Sequence, residues 1–291
     1  MALNGILLVD KPEGWTSSDV VAKLRGILHE KRIGHAGTLD PMATGLLTIF
    51  VGRATRGVEF AEKHSKEYIA GFRPGIVTDT QDITGNILAE HEYIPNDALL
   101  KDAIAHFTGD IYQIPPMYSA IKVNGQRLYK LAREGKEVER KPRLITIESI
   151  DIVGSTDEDI LLDVKCSKGT YIRTLCHDIG EYMGCGGCMS SLRRVKAGDY
   201  SIEDAVTIED IQNAADENRL QDLIRPVDTL FSAYEALIVP EHVAQKIKCG
   251  NDAKVVLVDG MYRVYAPNGE FLAFCMVENI TMHTIKSFFE V

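Results

Sequence analysis

Apolar positions along the chain fall into short runs, alternating stretches and helical stripes. Gly5-Ile6-Leu7-Leu8-Val9-Asp10 is an apolar run closed by the turn Lys11-Pro12-Glu13-Gly14, which predicts a strand. Trp15-Thr16-Ser17-Ser18-Asp19 supplies helix-capping residues, and Val20, Val21, Leu24, Ile27 and Leu28 follow at helical spacing. Leu46-Leu47-Thr48-Ile49-Phe50-Val51 reads as a buried strand, and Arg53 to His64 as helix. Lys66 to Phe72 alternates, with Tyr68, Ala70 and Phe72 on one face and Glu67 and Ile69 on the other. A polar loop, Thr78 to Gly85, leads to a strand over Asn86 to His91 and a helix over Asn96 to Phe107, with Asn96 as its cap.

The pattern then changes. Ile114 to Lys141 carries Pro115-Pro116, few core-forming residues and seven basic side chains, which reads as a long projecting insertion, helical around Leu128 to Arg133. Beyond it, Leu144 to Val153 and Ile160 to Cys166 predict paired strands, Thr170 to Met183 a helix and Leu192 to Tyr200 a basic strand. An acidic helical block ends near Leu230 to Pro240, which predicts a boundary. The remainder holds a helix, Glu241 to Lys248, and strands over Lys254 to Val258, Tyr262 to Ala266 and Phe271 to Glu278, divided by Asp259-Gly260 and Asn268-Gly269 turns. The order of elements predicts an α+β chain: a mixed, largely antiparallel sheet flanked by helices, followed by a small β-rich module.

Length and composition fit one large domain with a small one, residues 1–230 and 231–291. No signal peptide or bilayer-spanning run is legible, so a cytoplasmic protein with its six cysteines reduced is expected. The net charge of −10 argues against a polyanionic partner until its distribution is considered. Met117 to Ile145 holds eight Lys or Arg against three Asp or Glu, and Lys165 to Gly198 six against two. Ser201 to Pro240 reverses this, with two against nine. Basic charge is thus concentrated in two segments that could present one face to a polyanion.

The stretch Gly34-His35-Ala36-Gly37-Thr38-Leu39-Asp40-Pro41-Met42-Ala43-Thr44-Gly45-Leu46 concentrates the chemistry. Three glycines and a proline within thirteen residues exclude a regular helix. Pro41 biases Asp40 toward extended backbone, so a tight loop carries one acid, beside His35, into a core strand. Taken alone, the loop reads equally as an Asx turn. Four further pieces stand out: Lys11-Pro12-x-Gly14-x-Thr16-Ser17, Lys66-x-Tyr68, Lys168-Gly169-Thr170-Tyr171-Ile172-Arg173, and Leu192-Arg193-Arg194-Val195. Arg173 in a first helical turn opposes the helix dipole, which points to an anionic partner for it. Cys185-Gly186-Gly187-Cys188 with Cys176-His177 invites a metal reading, but a closed site needs four ligands at workable spacing and adjacent helical residues point apart. Nucleotide-binding glycine fingerprints and the G-x-S-x-G elbow are missing from the sequence.

In their order along the chain, from the Lys11 turn through the Asp40 loop to Leu192-Arg193-Arg194, the five pieces resemble the TruB family of tRNA pseudouridine synthases, and the likeness covers nearly the whole chain. The absence of basic tails and the presence of the insertion resemble the stand-alone bacterial type. The resemblance implies a pseudouridine synthase fold in which residues 114–141 form a thumb loop and the C-terminal module is a PUA-like RNA-binding domain. It implies isomerisation of uridine 55 in the T-loop of tRNA, without metal, cofactor or energy source, by a monomer whose partner is the T-arm stem-loop. The implied catalytic residues are Asp40, Tyr68 and Arg173, with Arg173 keeping Asp40 ionised and Tyr68 stacked on uracil near C5. The implied substrate contacts are His35, which fills the gap left by the flipped nucleotide, with Tyr171, Leu192, Lys11, Thr38 and Lys168. Lys122, Arg127, Lys130 and Arg133 are the implied thumb contacts to RNA. Two other readings remain open on the residues: a non-catalytic T-arm binder or tRNA-folding helper, and an Asp-nucleophile nucleoside hydrolase that would release uracil.

Overall fold

The computed structural model describes residues 3–123 and 125–289. The chain opens with β1 (Gly5–Lys11), α1 (Ser17–Leu28), β2 (Ile33–Ala36) and β3 (Thr44–Val51). Thr16 caps α1 through a reciprocal capping box with Asp19, as the sequence leads one to expect. The predicted helix over residues 53–64 is instead a 3-10 segment, Gly52–Gly57, followed by one turn, α2 (Val58–Ala61). Next come β4 (Lys66–Pro74), β5 (Ile76–Thr78), β6 (Ile87–Glu90), α3 (Asp97–Phe107) and β7 (Gly109–Gln113). The insertion holds β8 (Lys122–Val123), β9 (Gln126–Arg127) and α4 (Leu128–Arg133). Then follow β10 (Arg143–Ser155), β11 (Ile160–Cys166), α5 (Ile172–Met183), β12 (Gly187–Ala197) and β13 (Tyr200–Ser201). The acidic block forms α6 (Ile208–Asp216) and α7 (Leu220–Leu223), and the rest is β14 (Glu235–Ile238), α8 (Glu241–Lys248), β15 (Ala253–Lys254), β16 (Gly260–Tyr265), β17 (Phe271–Glu278) and β18 (Thr281–Ser287).

Among the described residues one nine-stranded sheet dominates, in the order β1-β3-β12-β4-β11-β10-β7, with β2 added to β3 and β13 to β12. Its pairings are antiparallel except where β12 meets β3, with Arg193 opposite Thr44 and Arg194 opposite Gly45. That single parallel join lies beside Asp40. The alternation in β4 puts Tyr68, Ala70 and Phe72 into a core with α3 and α5, through Leu100, Ala103, Leu175 and Ile179. Near one sheet edge, α1 and α6 cover β1 and β3 through Val20, Leu24 and Ile211.

The small module is a five-stranded sheet, β14-β16-β17-β18-β15, with its own core around Val243, Val264 and Leu272. It is nevertheless keyed into the body. Phe274 stacks on Phe231 at 4.3 Å between ring centroids, and Phe60 meets both rings edge-on. The Lys286 ammonium pairs with Glu59 at 2.6 Å, and Arg53 donates to the Phe289 carbonyl. The predicted strand over residues 254–258 shrinks to Ala253–Lys254, because Val256 and Val258 are exposed and find no apolar face.

The insertion carries structure of its own. Its helix has the expected limits, but Leu128 and Leu131 are buried, as are Pro115, Pro116 and Ser119. Its backbone closes on itself where the amide of Tyr129 donates to the Ser119 carbonyl. Near its start the Tyr118 carbonyl meets the first turn of α5, where it accepts from Arg173.

Candidate active site

The loop between β2 and β3 delivers Asp40, and the first turn of α5 delivers Arg173. The α5 entry is held by Gln113 at the end of β7. Its side chain accepts from the Tyr171 amide at 2.8 Å and donates to the Tyr171 carbonyl at 3.0 Å. So fixed, the Arg173 guanidinium, 5% exposed, spends its donors on four groups. Nε donates to Asp40 Oδ2 at 2.9 Å, and Nη2 stands 3.5 Å from Oδ1. Nη1 donates to the Thr80 carbonyl at 3.0 Å and pairs with Asp82 Oδ2 at 3.5 Å. Nη2 also donates to the Tyr118 carbonyl of the insertion at 2.8 Å. The sequence expectation that Arg173 has an anionic partner is met by two carboxylates.

The second of these, Asp82, is not singled out by sequence reasoning, because one Asp among threonines reads as an ordinary polar turn. In the structure it is buried, and its Oδ1 accepts from the Thr84 amide and from the hydroxyls of Thr80 and Thr84. Those bonds leave Oδ2 turned to Arg173. The loop itself is tied to β12, with the Ile83 amide on the Met189 carbonyl and the Met189 amide on the Gln81 carbonyl.

Asp40 is recessed but reachable, its side chain 38% exposed. Burial raises its carboxyl above the ordinary range, Arg173 pulls it down, and the nearby Asp82 charge adds to the rise. The net direction is upward, so Arg173 does not simply hold the acid ionised: it offsets part of what desolvation costs. Such a carboxylate, held by one side-on guanidinium and open to solvent on its remaining edge, can attack an electrophilic carbon or remove a proton from one.

Tyr68 lies in the same core as Leu39 and Leu192, and all three are buried. Burial also pushes its phenol up, opposed by the Arg194 charge. Tyr171, at the α5 entry, is partly buried, and its phenol is raised for the same reason. His35 lies on β2, half-buried, with Nδ1 lacking a hydrogen-bond partner; burial and Arg194 both lower it, which favours the neutral ring. Thr38 and Lys168 are exposed. Lys122, Arg127, Lys130 and Arg133 are exposed on the insertion, with Arg127 and Arg133 flanking the Tyr129 ring at 5.9 and 5.5 Å.

Lys11 is placed differently from the expected substrate contact. It is 0% exposed, and its ammonium donates to the carbonyls of Pro12, Trp15 and Pro41 at 2.8, 2.6 and 3.2 Å. All three donors are used within the protein. Lys11 is a clasp joining the first turn to the residue after Asp40, and burial brings it down to about 8. As for the cysteines, Cys188 is buried on β12 with its thiol pushed up to about 11 by burial, and Cys185 lies in the turn before it. Among the described residues no group of three or more His, Cys, Asp or Glu side chains is arranged to hold a metal ion, and no helix is long and apolar enough to cross a membrane.

Comparison with known proteins gives the family. Residues 25–172 match the N-terminal domain of TruB family pseudouridylate synthases, and residues 173–232 match a tRNA pseudouridylate synthase B C-terminal domain. The chain is 42% identical to a tRNA pseudouridine synthase B of Clostridium kluyveri, over 98% of this chain and 100% of that one. It is 46% identical to the protein of the same name from Alkaliphilus oremlandii, over 86% and 82%. Among solved structures it is similar to a chain of a Cbf5-Nop10-Gar1 complex, with a TM-score of 0.76 at 25% identity, over 98% of this chain and 85% of that one. The sequence motifs, the fold and the curated relatives agree: the chain belongs to the TruB family of pseudouridylate synthases.

Proposed function

We propose that this protein isomerises uridine 55 in the T-loop of tRNA to pseudouridine. The observation that carries the reading is the Asp40 carboxylate, partly exposed and gripped side-on by Arg173 at 2.9 Å, beside the buried cluster that holds Leu39, Tyr68 and Leu192. The name shared by its relatives, tRNA pseudouridine synthase B, supports tRNA as the substrate class.

In the reaction the N1–C1′ bond breaks, the uracil turns over, and a C5–C1′ bond forms. The proton on C5 is lost and N1 is left protonated. A base inside folded RNA is out of reach, so the nucleotide must swing out of its stack. Asp40 acts at the sugar, as nucleophile or as the base that starts elimination, and Arg173 orients it and balances its charge. Tyr68 stacks on the uracil and stands ready to take the C5 proton. Tyr171 and Leu192 close the pocket, while neutral His35 fills the vacated space in the stack. Thr38 and Lys168, both exposed, suit backbone contacts. Lys122, Arg127, Lys130 and Arg133 supply phosphate contacts from the thumb, residues 114–141. Residues 1–230 form the catalytic part and 231–291 a PUA-like RNA-binding part, in a monomer that works in the cytoplasm.

The test is tritium release from a T-arm hairpin carrying C5-tritiated uridine, with the parent beside Asp40→Asn. The parent releases label and forms pseudouridine, and the variant binds the hairpin but releases none. Appreciable pseudouridine from Asp40→Asn refutes the assignment of Asp40, and free uracil from the parent refutes the isomerase reading in favour of a hydrolase.

A further inference from the structure

Arg194 heads the largest side chains fully removed from solvent, at 1% exposure. Its neighbour Arg193 makes a conventional two-pronged ion pair with Asp10, at 3.1 and 2.7 Å. Arg194 makes none: among the described residues no carboxylate lies within 4.0 Å of it. It donates to two backbone carbonyls, Leu46 from Nε at 2.6 Å and Gly37 from Nη2 at 2.9 Å, and its guanidinium also lies against the Tyr68 phenol, whose ionised form it favours. Two further buried cations stand near, Lys11 on its three carbonyls and Lys66 on those of Glu62 and His64. A guanidinium taken out of water beside like charges, with no counter-ion, is a costly choice, and an apolar side chain of similar volume would ordinarily serve stability as well.

What an apolar side chain would not do is grip the backbone, and the position of the grip is informative. Gly37 lies three residues before Asp40 and Leu46 six after it, so one side chain holds both ends of the Asp40 loop. The backbone of the same residue adds a third hold. Gly45 pairs with Arg194 in the lone parallel register of the sheet, and a Cβ on Gly45 would stand 2.4 Å from the Arg194 carbonyl oxygen. Beneath Gly37, a Cβ would meet Nη1 at 3.0 Å. On its other edge Arg194 is the register partner of Tyr68.

We propose that Arg194 is a positioning residue for the reaction: its guanidinium sets the span of the Asp40 loop, and with it the direction from which Asp40 meets Arg173 and the sugar. This rests on the reading of Asp40 as the essential acid. It gives a reason for a buried charge that packing alone does not require. It also separates the two arginines of the motif, since Arg193 is half-exposed and paired whereas Arg194 points inward.

The test uses the full-length parent, Arg194→Met and Arg194→Lys, with single-turnover conversion and binding of the T-arm hairpin measured alongside thermal unfolding. Displacing an acid by an ångström costs on the order of 100-fold in turnover, so Arg194→Met is expected to convert about 100-fold more slowly while binding the hairpin within about threefold of the parent. Arg194→Lys keeps the charge and one of the two carbonyl bonds, and is expected to recover about tenfold of that loss. Conversion by Arg194→Met within about threefold of the parent overturns the proposal, as does a loss confined to binding in both variants. If Arg194→Met does not fold, Arg194→Lys decides: slower conversion at unchanged affinity supports the proposal, and unchanged conversion overturns it. A parent that makes no pseudouridine would instead refute the proposed function, so the two failures are distinct.

Discussion

Replacing Arg173 by Met tests the balance of charge at the cleft. The substitution removes a guanidinium that is almost wholly buried and leaves Asp40, Asp82 and the carbonyls of Thr80 and Tyr118 without their donor. Removing one partner of a buried ion pair costs about 3–5 kcal/mol. Water can reach Asp40 along its exposed edge, and Asp82 keeps its threonine donors, so the lower end applies, about 3 kcal/mol. With an unfolding entropy of about 2.1 cal/mol/K per residue, a chain of this length loses about 5 °C in Tm. The loss also has a sign in pH. Burial already raises Asp40, so its contribution to stability is fullest below the ordinary carboxylate range and declines as pH rises through the raised value. Without Arg173 that decline deepens, and the variant should be further below the parent near pH 8 than near pH 5. Adding Asp40→Asn to Arg173→Met should return part of the lost Tm, because one of the two carboxylates left without a cation is then neutral. Turnover should fall about 100-fold or more, the equivalent of about 3 kcal/mol in the barrier. Thermal unfolding at the two pH values and tritium release check both limbs. An Arg173→Met protein with parental Tm at both pH values and parental release refutes the reasoning.

Other substitutions probe separate parts of the site. Gly45→Ala puts a methyl 2.4 Å from the Arg194 carbonyl at a φ of +98°, and should cost about 3 kcal/mol or more, read as a lower denaturant midpoint. Tyr68→Phe keeps the ring and loses the hydroxyl, so hairpin affinity should hold while turnover falls; equal losses in both would assign Tyr68 to binding alone. Because burial raises that phenol, proton removal by Tyr68 predicts a parental rate that keeps climbing with pH above neutrality, measured as a pH–rate profile. Lys130→Ala and Arg133→Ala should each lower the slope of log affinity against log salt by about 1, with conversion at saturating RNA unchanged.

Much of the frame was open to reading from the sequence because local signals agreed with tertiary ones. The Thr16 cap, the alternation of Tyr68, Ala70 and Phe72, and the limits of α4 and α8 follow from spacing that neighbouring elements reinforce. Where tertiary pairing overrides local signals, the sequence is mute. Ile33–Ala36, at the start of the glycine-punctuated stretch 34–46, reads as loop, yet pairs with β3 and places His35 on a strand. β7 and β14 are short or mixed in polarity and gain their identity from partners farther along the chain, while β18, polar on much of its length, gains it from β17 across the turn at Asn279 and Ile280. Within the site, Asp40, Arg173 and Tyr68 belong to motifs that can be read. The roles of Asp82, Gln113, Lys11 and Arg194 depend on which way a side chain turns across the fold. A lysine in a turn and an arginine on a basic strand look like surface groups ready for phosphate, and only their carbonyl partners show them to be internal fasteners.

The ring stack between Phe231 and Phe274 has a mechanical outcome. Although the C-terminal β module has a core of its own, it is not an appendage on a tether. Its aromatic face completes a cluster that also holds Ile6, Leu46 and Phe50 of the main sheet. Ending the chain shortly after Phe231 would uncover an oily scar behind β3, the strand that follows the Asp40 loop. Such a shortened protein should clump or lose cooperativity on heating rather than survive as a smaller working enzyme, and the separation between module and cleft is set as firmly as that between two teeth of one gear.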